Sequence, residues 1–141
     1  MITINPYLKF DGNCEEAFNF YKSVFGGEFP CVDRYEKMPP QEGCPEVAED
    51  DKQKIMHISL PIGKNTNIMG SDVLHKRDDT PINSNVSLSI NVDSKAEADR
   101  IFDELSSGGQ VLMPLADTFW GGYFGMFTDK FNVKWMIHTE M

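Results

Sequence analysis

Histidine and cysteine are the side chains here that could most readily hold a metal or act as base or nucleophile, and the chain has three of each. His57 alternates with Ile58 and Leu60, and His138 alternates with Trp135 and Ile137. That parity predicts that both rings point to the open side of a strand. A metal site or a general base is the chemistry they could support. No third ligand accompanies them at a recognisable spacing, so hydrogen-bonded histidines at a polar surface is the reading the spacing favours. His75 lies among charges in a polar stretch and is expected to be solvated. Cys14, Cys31 and Cys44 show no C-x-x-C spacing and no basic neighbour. They predict structural thiols in a reducing, cytoplasmic compartment rather than a disulfide framework or a thiolate nucleophile. Neither G-x-S-x-G nor H-E-x-x-H occurs. The acidic pairs Glu15-Glu16 and Asp78-Asp79 fall at a helix start and in a loop, where the helix dipole and solvation account for them.

A dense aromatic segment offers a different chemistry. Phe119, Trp120, Tyr123, Phe124 and Phe127, with Trp135, could stack on a flat ligand or fill a core and a subunit interface. Trp120 stands between Asp117-Thr118 and Gly121-Gly122, a turn that frees its ring from a sheet. It is the expected wall residue.

The elements that must position these groups repeat. Ile4, Pro6, Leu8 and Phe10 alternate with Asn5, Tyr7 and Lys9, which predicts a half-buried strand. A helix follows, with Asn13 and Glu16 at capping-box spacing. Ala17, Phe18, Tyr21, Val24 and Phe25 form its apolar stripe, and Gly26-Gly27 ends it. The second half has the same syntax. Val86, Leu88, Ile90 and Val92 alternate with Ser87, Ser89 and Asn91. Ser94 and Glu97 form a capping box, Ala98, Ile101, Phe102 and Leu105 the stripe, and Gly108-Gly109 the stop. The caps lie 81 positions apart and the glycine pairs 82. Strands are expected after each helix, at 28–36, 53–62 and 66–71, then at 110–115, 123–129 and 133–139.

The chain therefore reads βαβββ twice. This predicts an α+β fold of two modules, 1–71 and 85–141, joined by a polar linker at 72–84 within one structural domain. Two such mixed sheets could curl into a cup with an open face for a ligand. The segment 37–51, rich in proline and acid, is expected to be a mobile lid or disordered. With 13 basic and 22 acidic residues the net charge is −9, which disfavours nucleic acid. No apolar run approaches the roughly 20 residues that span a bilayer, so no membrane partner is expected.

These segments resemble the PhnB-like branch of the vicinal oxygen chelate superfamily, which includes glyoxalase I, extradiol dioxygenases and bleomycin-resistance proteins. The similar stretches are NPYLKFDGNCEEAFNFYKSVFGGE, MHISLPIG, NIMGSD and MPLADTFWGGYFGMFTDKFNVKWMI, with DTFWG-x-x-x-G and D-x-F-x-V-x-W as the more specific pieces. The resemblance implies a homodimer. It also implies four metal-ligand positions on the first and last strands of each half, which fall at or near Asn5, Met69, Ser87 and Met136. Thioether, amide and hydroxyl are poor donors for a hard or borderline cation, so no metal and no cofactor are expected. The branch also carries a methyltransferase label, but no strand here leads through a glycine-rich turn into a helix. The expected function is binding of a small organic molecule in a metal-free cup lined by Asn5, Tyr7, His57, Ser71, Ser87, Ser89, Trp120 and Met136. The competing expectation is a metal-dependent lyase, isomerase or dioxygenase.

Overall fold

The computed structural model describes residues 3–37, 47–74 and 85–140. The chain divides into two compact units, residues 1–83 and 84–141. In the first unit, strand β1 (Tyr7–Phe10) leads into helix α1 (Cys14–Phe25), followed by β2 (Cys31–Arg34), β3 (Ile55–Ile62) and β4 (Thr66–Asp72). In the second, β5 (Leu88–Asn91) leads into helix α2 (Lys95–Ser106), followed by β6 (Gln110–Asp117), β7 (Gly122–Thr128) and β8 (Lys134–Glu140). The sheet orders are β1-β4-β3-β2 and β5-β8-β7-β6. In each, the first strand runs parallel to the last and the other neighbours are antiparallel. Every strand of one module thus has a counterpart in the same place in the other. The α+β fold of two βαβββ modules follows.

Helix α2 buries the stripe that its sequence spacing defines, and α1 does so except that Phe25 is only half-buried and Cys14 joins the buried set. In α1 the buried residues are Cys14, Ala17, Phe18, Tyr21 and Val24. In α2 they are Ala98, Ile101, Phe102 and Leu105. The sheets answer with Ile58, Leu60 and Ile68 in the first unit and Phe127, Trp135 and Ile137 in the second. Glycines let the helices approach. A Cβ on Gly70 of β4 would stand 2.7 Å from Phe18 Cε1, and one on Gly125 of β7 would stand 2.8 Å from Phe102 Cε2. Both distances are below contact, so the helix-facing strand has room for the aromatic ring only where a side chain is missing.

Several expectations need correction. Ser94 caps α2 as expected, its hydroxyl accepting from the Glu97 N–H at 3.1 Å. Asn13 makes no side-chain cap. The Cys14 N–H at the start of α1 instead donates to Asp72 Oδ1, at 2.9 Å. Asp72 belongs to β4 and is buried, as are Val73 and Leu74, so the chain leaves the first sheet later than its polarity suggests. The stretch 28–36 is a strand only over Cys31–Arg34, with a 3-10 turn at Tyr35–Lys37. Within the acidic segment, Glu49–Asp51 forms a second 3-10 turn. The Lys52–Glu49 and Lys54–Asp51 ion pairs, both 2.8 Å, hold it. Residues 38–46 of that segment, which include Cys44, lie outside the described residues, as do His75 and Asp78-Asp79.

Two motif pieces have structural explanations. Asp129 Oδ1 accepts from the N–H groups of Phe131 and Val133, and Oδ2 accepts from Trp135 Nε1 at 2.8 Å. The D-x-F-x-V-x-W piece therefore closes the β7–β8 turn, where Asn132 has φ 71°, and anchors a core tryptophan. In DTFWG, the Thr118 N–H donates to the Gly122 carbonyl at 2.8 Å while Thr118 Oγ1 accepts from the Gly122 N–H at 2.9 Å. Gly121 takes φ 87°, the left-handed conformation that suits glycine.

Candidate functional site

Register sorts each sheet into two faces. Gly70 points at α1, so its cross-strand partners Leu8 and Ile58 face the helix too. The alternate row, Tyr7–Met69–Ser59–Cys31, must face away from it. One step further along that face, Lys9 pairs with Ser71 and His57 with Asp33. Tyr7, His57 and Ser71 therefore share the helix-free face of the first sheet. Asn5, two residues before Tyr7, has the same parity. Its Oδ1 already accepts from the Asn67 backbone N–H at 3.1 Å, which ties the chain entering β1 to β4.

The best-defined polar contact on this face joins Tyr7 to His57. The Tyr7 hydroxyl lies 3.2 Å from His57 Nδ1, and the ring centroids are 5.7 Å apart. Tyr7 is 45% exposed, so the pair is open to a ligand. The hydroxyl donates when Nδ1 carries no proton, which leaves Nε2–H as the free donor of the neutral ring. Beside them the Cys31 thiol donates to Asp33 Oδ2 at 3.1 Å. That hydrogen bond stabilises the thiol form and raises its pKa, with burial and the Asp33 charge acting in the same direction. Cys31 is thus held away from thiolate chemistry. Burial, then the charges of Asp72 and Glu15, push the Cys14 thiol up further, and it packs in the core.

The second sheet sorts in the same way. Gly125 points at Phe102 of α2. On the same side the Tyr123 hydroxyl reaches Asp99 of α2 at 2.6 Å. The opposite face carries the rows Ser89–Met136–Met126–Met113 and Asn91–His138–Phe124–Ala116. Ser87 shares the parity of Ser89. Trp120, in the turn between β6 and β7, is 57% exposed. Its ring centroid lies 6.2 Å from that of Phe124 and 4.9 Å from that of Phe119. Ser89 and Met136 thus share a helix-free face, Trp120 packs against Phe124 of that face, and Ser87 lies just before β5. The sequence residues singled out fall as two groups of four, one on each module.

Sequence reasoning passed over Asp33 on the first face and Asn91 on the second, took Cys31 as a structural thiol, and left Phe124 between stacking and core packing. It left the role of His138 open. Parity was the available signal: His138 stands two positions from Met136 and shares its face. Asp33 lay in a stretch whose strand limits were drawn too wide to fix its direction.

The superfamily's metal positions can be tested on their donors. Asn5 Oδ1 is engaged by Asn67. Met69 and Met136 are thioethers, and Ser87 is a neutral hydroxyl. No group of three or more His, Cys, Asp or Glu side chains among the described residues is arranged to hold a metal ion. The residues at these positions do not fit the group.

A βαβββ pair of this topology defines a class, and comparison confirms it. The chain belongs to the Glyoxalase/Bleomycin resistance protein/Dioxygenase superfamily, whose family model matches residues 3–137. Among its relatives, Protein YjdN of Escherichia coli (strain K12) is 33% identical over 141 residues, covering 96% of this chain and 94% of that protein. The crystal structure of protein PA1353 from Pseudomonas aeruginosa is 43% identical with a TM-score of 0.86, covering 99% of this chain and 98% of that one. A PhnB protein from Bacillus cereus, described as a putative 3-demethylubiquinone-9 3-methyltransferase, is 26% identical with a TM-score of 0.76, covering 98% and 99%. The PhnB-like resemblance of the sequence is thus matched by a PhnB structure. No helix among the described residues is long and apolar enough to cross a membrane.

Proposed function

We propose that this chain binds small organic molecules on the helix-free face of a sheet, each module offering its own face, through its own side chains and without a resident metal ion. The observation that carries this reading is the Tyr7–His57 pair. Two polar aromatic rings from β1 and β3 meet at 3.2 Å on an accessible sheet face. A purely structural face would be apolar and covered, or polar and dispersed. Asn5 and Ser71 extend the polar lining on the first face. Ser87, Ser89, Trp120 and Met136 supply a mixed polar and apolar lining on the second. The methyltransferase activity in the name of the B. cereus protein is not carried over. The β1–α1 junction holds a single glycine, Gly12, and the β5–α2 junction holds none, which is not a nucleotide-binding turn.

The protein acts as a homodimer in a reducing cytoplasm on this reading. Edge strand β6 leaves Val111, Leu112 and Met113 about half exposed, an apolar surface a second copy can bury.

The test is nuclear magnetic resonance of the tag-free protein against a panel of small aromatic and carbonyl compounds, with metal analysis of the same sample. Binding that shifts the His57 or Trp120 signals, in protein free of stoichiometric metal and indifferent to chelator, is the expected result. Stoichiometric metal with turnover abolished by chelator would instead make the chain a metal-dependent lyase, isomerase or dioxygenase.

A further inference from the structure

Gly122 opens β7, is buried, and faces away from α2. A Cβ built there would lie 2.8 Å from His138 Nε2 and 3.2 Å from Trp120 Nε1. Two ring nitrogens, one from β8 and one from the β6–β7 turn, therefore converge over a single missing side chain. Among the described residues neither nitrogen has a hydrogen-bond partner, whereas the other indole, of Trp135, is bonded to Asp129 at 2.8 Å. The backbone of the turn that presents Trp120 is held by the Thr118–Gly122 clamp, and the Trp120 ring packs against Phe124.

The donor chemistry restricts what can complete this arrangement. An indole N–H can only donate, so the missing atom must be an acceptor. The Nε2–H of His138 can donate to the same atom. Phe124 is the register partner of His138 and its ring lies 6.2 Å from the Trp120 ring, which gives the acceptor's carrier a flat wall. Glu140 is the register partner of Gly122, on the same face as His138, and its carboxylate disfavours an anion.

We infer that Trp120 Nε1–H and His138 Nε2–H form a two-donor subsite over Gly122 that takes the uncharged carbonyl oxygen of a flat aromatic compound lying against Phe124. The inference rests on the small-molecule reading above and specifies its ligand class on the second module.

Benzamide is the probe, with benzoate as its anionic counterpart and toluene as the ring without an acceptor. The full chain is labelled with nitrogen-15, and the Trp120 indole signal is followed with that of Trp135 as internal control. Benzamide is expected to move the Trp120 and His138 signals and leave Trp135 in place. Toluene and benzoate should each bind at least fivefold more weakly. Trp120→Phe keeps a ring but no donor and should weaken benzamide about fivefold to tenfold, the effect of one hydrogen bond. Gly122→Ala has no positive-φ penalty and should push both nitrogens apart, with a similar loss, in a protein whose circular dichroism is unchanged. Should that variant misfold, Trp120→Phe, on an exposed turn, decides the matter alone. An unmoved Trp120 signal with a responsive His57 would overturn the subsite and leave the small-molecule reading standing. Silence on both faces across the panel would overturn both. Toluene binding as tightly as benzamide, or benzoate binding more tightly, would overturn the neutral-acceptor assignment.

Discussion

Asp72 Oδ1 accepts a hydrogen bond of 2.9 Å from the backbone N–H of Cys14, 58 positions earlier in the chain. Its Oδ2 accepts a second, also 2.9 Å, from the N–H of Ile55. The Asp72 carbonyl in turn accepts from the Tyr35 hydroxyl at 2.7 Å. One buried carboxylate therefore ties the first turn of α1 and the start of β3 to the end of β4. It also places a negative charge at a helix N-terminus, where the dipole favours it.

Removing that carboxylate strands two buried backbone donors. Each unsatisfied donor costs about 1–3 kcal/mol, so Asp72→Ala is expected to lose about 3 kcal/mol of stability in urea denaturation. Asp72→Asn can serve one donor with its carbonyl while its amide confronts the other, and a loss of about 2 kcal/mol is expected. A loss below about 0.5 kcal/mol in both would show that water replaces the side chain.

The two helix starts make opposite predictions from similar sequences. Ser94→Ala removes a hydroxyl that accepts from Glu97 N–H and should cost about 1 kcal/mol. Asn13→Ala removes a side chain that makes no cap and should cost well under that. Parallel urea melts of the two variants check the difference.

That contrast marks what the sequence could carry. Periodicity located both helices, the strand order of syntax and the buried stripes, because those depend on neighbours three, four or two residues away. It set Tyr7, His57, Ser71, Ser89 and Met136 opposite the helix-covered faces, since parity within a strand survives folding. It misjudged the cap of α1 because the group that satisfies Cys14 comes from β4, and no local pattern announces a partner 58 residues away. It also could not show that His57 reaches Tyr7, because β4 lies between their strands and only the sheet order brings them together. Likewise Gly122 reads as one more turn glycine until the β7–β8 register sets it beneath the His138 ring.

The glycines under the helices should tolerate no side chain. A Cβ at position 70 would meet Phe18 Cε1 at 2.7 Å and the Leu8 carbonyl oxygen at 2.9 Å. One at position 125 would meet Phe102 Cε2 at 2.8 Å and the Leu115 backbone nitrogen at 3.0 Å. The ring can rotate but the backbone cannot, so Gly70→Ala and Gly125→Ala are each expected to cost about 2 kcal/mol by overpacking. Trimming the ring in the double variant Gly70→Ala with Phe18→Leu should recover part of the first loss and none of the second. Denaturation of the single and double variants reads this coupling.

Alkaline stability offers a test of how α2 is held to its sheet. The Tyr123 hydroxyl on β7 donates to Asp99 Oδ1 on α2 at 2.6 Å. That hydrogen bond is the main reason the phenol's pKa is raised, with desolvation and the charges of Asp99, Asp117 and Asp103 adding to it. The folded protein therefore holds this proton more tightly than the unfolded chain, where tyrosine titrates near about 10. The contribution is fully present below that pH and is lost as pH rises through the higher folded value, where a phenolate would face a carboxylate. The comparison with a variant that lacks only this phenol isolates the effect. Tyr123→Phe removes this proton and leaves the rest. The stability advantage of wild type over Tyr123→Phe should be constant from pH 7 to 9 and shrink at pH 11. An advantage that holds or grows at pH 11 would mean that the Asp99 bond does not govern the titration.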